Sequence, residues 1–333
     1  MNIVLELLKL IGYTGILLLC MLLMIAIFIW RYLKLRKFTE RIRLLRKRIH
    51  KNWFDNPSVH IIRVKDEYTF SLYGEGSPEI YVKVIMPSRI KKPTIKDCIP
   101  FLPPFRRGAL IDEITPTHCL LYNGFSLTRC HCLVTTKRFE DQSTKVSVND
   151  FAATLLAMKA AKSCAFYNSG PDAGSSQRHK HLQLLPYAAF RYGLIPIERL
   201  IQKLDKDLTG KLFTLPEFKF KHIFYMFEKV VTSGLKEANL FEKAKKLEND
   251  YERLLKYLEN ENRKIPYNLV ITRKWMFVVL RKKELIKDSI KINALGFLGS
   301  FMVNDEKDLQ YFPVEAPLDA LLEVTYPITN SNT

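Results

Sequence analysis

Hydrophobic and polar positions along this chain follow three successive patterns. From Leu10 to Trp30 no side chain is charged over twenty-one residues, LIGYTGILLLCMLLMIAIFIW. As a helix such a run is about 31 Å long, matching a hydrocarbon core of roughly 30 Å. One N-terminal transmembrane helix over about residues 10–30 is therefore predicted. A signal peptide has a shorter apolar region and a small-residue cleavage site, whereas this run ends in Trp30, Arg31 and Tyr32. Between Arg31 and Lys51 apolar residues recur at Leu35, Phe38, Ile42, Leu45 and Ile49, one stripe on a helix.

From Asn52 the pattern becomes that of a globular domain. Short β-favouring runs predict strands over 59–64, 68–73, 80–85, 117–122, 131–135, 165–167, 179–185, 267–272, 275–280 and 297–303. Longer apolar-periodic stretches predict helices over 148–163 (with Asn149 as its cap), 197–204, 218–233 and 235–258. Residues 89–108 carry Pro93, Pro100, Pro103 and Pro104 without periodicity and read as an irregular loop. Strands and helices in clusters point to an α+β fold rather than a doubly wound sheet.

Charge adds an orientation. The net charge is +18, and residues 31–51 hold ten Lys/Arg against one acid, Glu40, a net +9. Before the apolar run the basic residue is Lys9, so the C-terminal side is expected in the cytoplasm. The apolar stripe with its cationic flanks suits an anionic leaflet, but also suits packing on the globular domain or on a second copy; both readings stay open. No nucleic-acid motif stands out, and the basic segment is assigned to the membrane. Of six cysteines, Cys20 lies in the apolar run and the others lack disulfide-framework spacing, as in a reducing compartment. Cys130-His131-Cys132 lacks a fourth ligand and the usual zinc spacing. It reads as strand alternation, and no metal site is expected.

The chemistry concentrates in Asn168–Gln183, NSGPDAGSSQRHKHLQ. On a strand, His179, His181 and Gln183 project from one face. They follow a loop in which Gly170, Gly174, Ser175 and Ser176 let backbone N–H groups approach a phosphate. A neutral imidazole is a competent nucleophile towards phosphorus.

This string resembles the signature of the diadenosine polyphosphate phosphorylases (ATP adenylyltransferases). They form a branch of the histidine-triad superfamily, which also holds galactose-1-phosphate uridylyltransferase, and glutamine replaces the third histidine in this branch. IKKPTIKDCIPFLPP, THCLLYNGFSLTRCHCLVTTKRFEDQ, YNLVITRKWMFVVLR and INALGFLGS resemble further family segments, extending the likeness over about residues 80–311. It implies a histidine-triad-like, mixed or antiparallel sheet with packed helices. The chain then divides into 1–51 (span and basic juxtamembrane helix), 52–210 (catalytic part) and 211–333 (C-terminal part completing the adenylyltransferase domain).

The resemblance further implies phosphorolysis of diadenosine tetraphosphate to ATP and ADP. His181 would be the nucleophile and carry AMP covalently, Gln183 would bond the phosphoryl oxygens and His179 would orient His181. Substrate contacts are expected from Lys92 (or Lys91), Asn123, Gly124, Asn168, Gly174, Ser175, Ser176, Gln177, Gln183, Asn293, Ala294, Leu295, Ser300 and Asn304. Partners would be the dinucleotide, phosphate, ATP and ADP, with membrane lipid around the anchor. No covalent cofactor is expected; a divalent cation such as Mg would arrive with the nucleotide. The chain departs from the pattern where Asn123-Gly124 stands for Asn-Lys and where Asn304 stands for a lysine. Those substitutions and the membrane segment keep two alternatives open. One is a phosphorylase of another nucleoside-diphosphate substrate, such as a nucleotide sugar or adenylyl sulfate; the other is a catalytically decayed, membrane-tethered nucleotide-binding protein.

Overall fold

The computed structural model describes residues 2–51, 53, 56, 59–71, 79–86, 100–126, 128–204, 207–259, 264–314 and 316–328. Helix α1 (Asn2–Lys51) runs unbroken from the apolar segment through the basic one. Short strands follow: β1 (His60–Ile61), β2 (Val64–Ser71), β3 (Glu79–Ile85), β4 (Leu110–Asp112), β5 (His118–Tyr122), β6 (Phe125–Ser126) and β7 (Cys132–Thr136). Helix α2 (Val148–Ala161) leads into β8 (Ser163–Asn168) and β9 (His181–Pro186). After the short α3 (Glu198–Gln202) come β10 (Leu212–Phe213), β11 (His222–Met226) and α4 (Leu240–Tyr257). The chain ends with β12 (Tyr267–Ile271), β13 (Trp275–Leu280), β14 (Leu285–Ile286), β15 (Ile290–Lys291) and β16 (Ser300–Val303).

Nine strands form one sheet in the order β10-β11-β13-β12-β8-β9-β7-β5-β4, antiparallel throughout. The expected catalytic and C-terminal parts thus share a single sheet, joined where β8 meets β12. Its two faces differ. On one, Leu182, Leu184, Val134 and Tyr167 pack with α2 and α4 residues such as Phe151 and Tyr251. On the other, Phe166, Phe224 and Phe277 pack with Val82 and Phe301 from a three-stranded sheet, β16-β3-β2. Alternation places His181 and Gln183 opposite Leu182 and Leu184, hence away from α2 and α4.

Several expected elements change. Residues 218–233 do not form a helix. In FKFKHIFYM, Phe218, Phe220, His222 and Phe224 are buried at every second position, and β11 pairs with β13. Apolar density there suggested a helix; the period of two marks a strand. The cap of α2 is Ser147 rather than Asn149: Ser147 Oγ accepts from Asp150 N, and Asp150 Oδ2 accepts from Ser147 N at 2.6 Å. The helix expected over 197–204 shortens to α3. The 297–303 segment begins as a 3₁₀ turn before β16.

The stripe on α1 resolves in favour of protein. Phe38, Ile42, Leu45 and Ile49 are buried in the core shared with α2 and α4, while Leu35 stays exposed. Arg46 donates to Ala160 O (3.0 Å) and Lys159 O (3.2 Å) at the C-terminus of α2, where a cation is favoured. Tyr122 Oη donates to Arg48 O at 2.9 Å and to Ile49 O at 3.0 Å. These four side chains are therefore covered by the domain itself. Ile16 and residues 18–37 are exposed throughout. This helix is long and apolar enough to cross a membrane.

Candidate active site

The site is built where β8, β9 and β7 lie side by side. His181 opens β9 and pairs with Thr135, while Gln183 lies between Leu133 and Phe166. His179 sits just outside the strand, in an isolated bridge to Asp141. His181 is buried, and its Nδ1 lies 2.8 Å from His179 O. A carbonyl only accepts, so Nδ1 carries the proton and Nε2 presents a lone pair. Among the described residues no hydrogen bond engages that Nε2. Burial lowers the His181 pKa to about 4, which keeps the ring neutral.

His179 orients His181 through its backbone. Its own side chain instead lies 2.9 Å from Thr136 Oγ1, between the rings of Phe101 and Phe139. The Phe101 ring also meets the His181 ring edge-on, with centroids 5.0 Å apart.

Three residues that sequence reasoning did not single out hold this arrangement. The buried Gln142 acts as a strand partner: Oε1 accepts from His181 N (2.8 Å), while Nε2 donates to His181 O (3.1 Å) and Asn168 O (2.8 Å). It closes the FEDQ string, a signal that was present but carried no assigned role. His131, read from sequence as simple alternation, is buried with Nε2 3.0 Å from Gln183 Oε1. Arg281 is fully buried, with Nη1 donating to Asn268 Oδ1 (2.7 Å), Ile292 O (3.0 Å) and Ala173 O (3.3 Å). It thereby staples the 170–177 loop to the C-terminal segment.

Several of the expected contact residues lie along that segment and the loop it meets. Gly174 has φ +88°, and a Cβ on it would run into Ile292 O and lie 3.0 Å from Asn293 Cα. Asn168 Oδ1 accepts from Asn268 Nδ2 (2.8 Å) and Ala294 N (3.1 Å), so this buried amide is engaged mainly in joining the two segments. Asn293 Oδ1 accepts from Leu295 N at 2.9 Å, and Ser300 N donates to Leu295 O at 3.1 Å. Ser175 Oγ donates to Gln177 O at 3.0 Å; Ser176 is exposed and Gln177 half-buried. Asn123 lies beside His131, with Gly124 next to it. Asn304 is exposed one residue past β16. Lys91 and Lys92 lie outside the described residues.

Among the described residues no group of three or more His, Cys, Asp or Glu side chains gathers to hold a metal. A cavity of about 590 Å³ lies elsewhere, lined by Glu198, Asp207, Lys274 and Trp275 among others, and includes none of the expected site residues.

Residues 86–203 match the Ap4A phosphorylase N-terminal domain, and residues 216–327 match the ATP adenylyltransferase C-terminal domain. Protein APA1 of Saccharomyces cerevisiae is 27% identical over 316 residues, covering 84% of this chain and 93% of the yeast protein. Diadenosine 5',5'''-P1,P4-tetraphosphate phosphorylase 2 of the same yeast is 26% identical over 299 residues, 80% of this chain and 87% of its own. In fold the chain is similar to the crystal structure of yeast Ap4A phosphorylase Apa2 in complex with Ap4A. That match has a TM-score of 0.66 at 21% identity and covers 86% of this chain and 98% of the other. With both halves matched in sequence order and joined through one sheet around the H-x-H-x-Q strand, the chain belongs to the Ap4A phosphorylase family of ATP adenylyltransferase-type nucleotidyltransferases.

Proposed function

We propose that this protein phosphorolyses diadenosine tetraphosphate to ATP and ADP through an AMP–His181 intermediate, on a domain tethered to the cytoplasmic side of a membrane by α1. The observation that carries the chemistry is the His181 tautomer: Nδ1–H is held by His179 O, which leaves Nε2 as a neutral nucleophile beside Gln183. Nε2 attacks the α-phosphorus, the bond to the bridging oxygen breaks, and ATP leaves with that oxygen. A phosphate oxygen then attacks the same phosphorus, the P–N bond breaks and ADP departs.

Gln183 and backbone N–H groups of the 174–177 loop stabilise charge developing on the non-bridging oxygens. Lys92, Asn123, Asn293, Ala294, Leu295 and Ser300 are assigned to substrate contact, and a divalent cation travels with the polyphosphate. The family match and the yeast phosphorylases support this substrate class.

Gly124 and Asn304, standing where cations are expected, favour a second reading: nucleotide binding without turnover. One experiment separates the two. Full-length protein in detergent, incubated with radiolabelled diadenosine tetraphosphate, is expected to acquire acid-labile, base-stable label. His181→Asn should abolish both label and turnover, and His179→Asn, which keeps the orienting carbonyl, should reduce them less. Robust turnover by His181→Asn would sink the mechanism; binding without label or turnover in the wild type would install the second reading.

A further inference from the structure

The orientation of the Gln183 amide is not self-evident, because its two ends are nearly isosteric and only the NH₂ end can donate to a phosphoryl oxygen. What lies behind it decides. Phe125 N–H donates to Asn123 Oδ1 at 3.0 Å, which turns Asn123 Nδ2 towards His131. Asn123 Nδ2 lies 3.4 Å from His131 Nδ1 and 3.2 Å from Nε2. His131 Nε2 in turn lies 3.0 Å from Gln183 Oε1, an acceptor.

We infer that Asn123 and His131 form a relay that sets the polarity of Gln183: the backbone fixes the Asn123 amide, Asn123 selects the His131 tautomer, and His131 Nε2–H holds Gln183 Oε1 so that its NH₂ faces the transferring phosphoryl group. Asn123 Nδ2 reaches both ring nitrogens, Nε2 slightly the nearer, but Nε2 is committed to Gln183 Oε1 at the shorter 3.0 Å, which leaves Nδ1 to accept. Asn123 can only donate from Nδ2, so His131 must offer a lone pair. With Nε2 protonated towards Gln183, that lone pair is on Nδ1. Burial of His131 removes the doubly protonated form as a competitor. His131 is a positioning residue here, and Asn123 acts on Gln183 through it, beyond any substrate contact of its own; the group that meets the transferring phosphoryl is Gln183, and this inference rests on the role proposed for Gln183 above.

Two measurements test it on the full-length chain in detergent. The first needs no activity. The chain has seven histidines, so ¹⁵N-histidine labelling with single His substitutions can assign the His131 ring. A Nε2–H tautomer is expected at neutral pH in the wild type, with Nδ1–H appearing in Asn123→Leu. A wild-type Nδ1–H tautomer overturns the relay whatever the enzyme does.

The second is a double-mutant cycle on turnover of diadenosine tetraphosphate with phosphate. His131→Leu should lower kcat roughly tenfold to a hundredfold with KM within about twofold, less than the roughly hundredfold or greater loss from removing an oxyanion donor outright, as in Gln183→Ala. In the Gln183→Ala background His131→Leu should change kcat by less than about twofold. His131→Gln, which restores a donor at similar reach, should recover most of the loss and serves where the leucine variant fails to fold. Additive losses would show that His131 does not act through Gln183. A harmless Gln183→Ala in an active enzyme would instead remove the role of Gln183 itself, leaving the tautomer measurement to decide the inner part of the relay.

Discussion

Each of two buried histidines has its Nδ1 at hydrogen-bond distance from the carbonyl two residues upstream: His181 from His179 O (2.8 Å) and His222 from Phe220 O (2.7 Å). They differ at the other nitrogen. His222 Nε2 accepts from Leu215 N at 2.9 Å and the ring is packed by Phe218, Phe224 and Phe277, so its hydrogen bonding is complete. Among the described residues no hydrogen bond engages His181 Nε2, and that separates a candidate nucleophile from a core residue. Burial lowers the pKa of His131, His181 and His222 from 6.5 to about 4. The unfolded chain therefore takes up protons that the folded one refuses as pH falls from 6.5. Stability is fully present above 6.5 and is lost as pH falls towards 4, at about 1.4 kcal/mol for each pKa difference of one. The melting temperature measured across that window should fall, and His222→Phe should flatten the fall. A wild-type melting temperature that is level from pH 6.5 to 4 would contradict the buried neutral state.

At the scale of elements, the loop between β8 and β9 is shaped by what lies against it. Gly174 combines a left-handed φ of +88° with backbone contact to Ile292 and Asn293. An added Cβ meets both a conformational penalty and a carbonyl that cannot step aside without disturbing Arg281. Gly174→Ala is therefore expected to destabilise by about 2 kcal/mol or more, and to lower turnover further than its melting temperature alone explains. Normal kinetics with an unchanged melting temperature would show that the approach is not needed. The same loop shows how far local reading reaches. Gly, Ser and the H-x-H-x-Q alternation were legible because their meaning is local. Gln142, Asn268 and Arg281 were not, because each acts on backbone distant in sequence, and nothing in a lone Gln, Asn or Arg says which carbonyl it will meet.

At the scale of the molecule, α1 has two halves of different character. Its exposed apolar half fits a bilayer; its second half supplies Phe38, Ile42, Leu45 and Ile49 to the core. Burying each such side chain contributes about 1.5–3 kcal/mol, so the four together are worth roughly 6–12 kcal/mol. That is as large as the whole stability of an ordinary domain, about 5–15 kcal/mol. A chain beginning at Asn52 is thus expected to be insoluble or unfolded, whereas one beginning at Arg36 should be soluble, melt cooperatively and turn over. Full-length protein should stay in the membrane pellet after carbonate extraction. A well-folded, active chain from Asn52 would show the docking of α1 to be dispensable, and a freely soluble full-length protein would end the membrane reading.

What the amino-acid sequence determined by itself is whatever depends on neighbours along the chain: the uncharged run of membrane length, the flanking charge asymmetry, the strand alternation that puts His181 and Gln183 on one face, and the motif that marks the family. Its reading failed at 218–233, where dense apolar residues hid a period of two, and it left the stripe on α1 undecided, because an amphipathic helix looks the same whether lipid or protein covers it. Only the tertiary structure decided that protein covers it, that one antiparallel sheet joins both halves, and that Gln142, His131 and Arg281 hold the site. Those outcomes depend on contacts between residues from about 40 to more than 100 positions apart, such as Gln142 with His181 or Arg281 with Ala173. The His179 carbonyl that fixes the His181 tautomer is local, but the burial that keeps the ring neutral exists only once those distant segments meet.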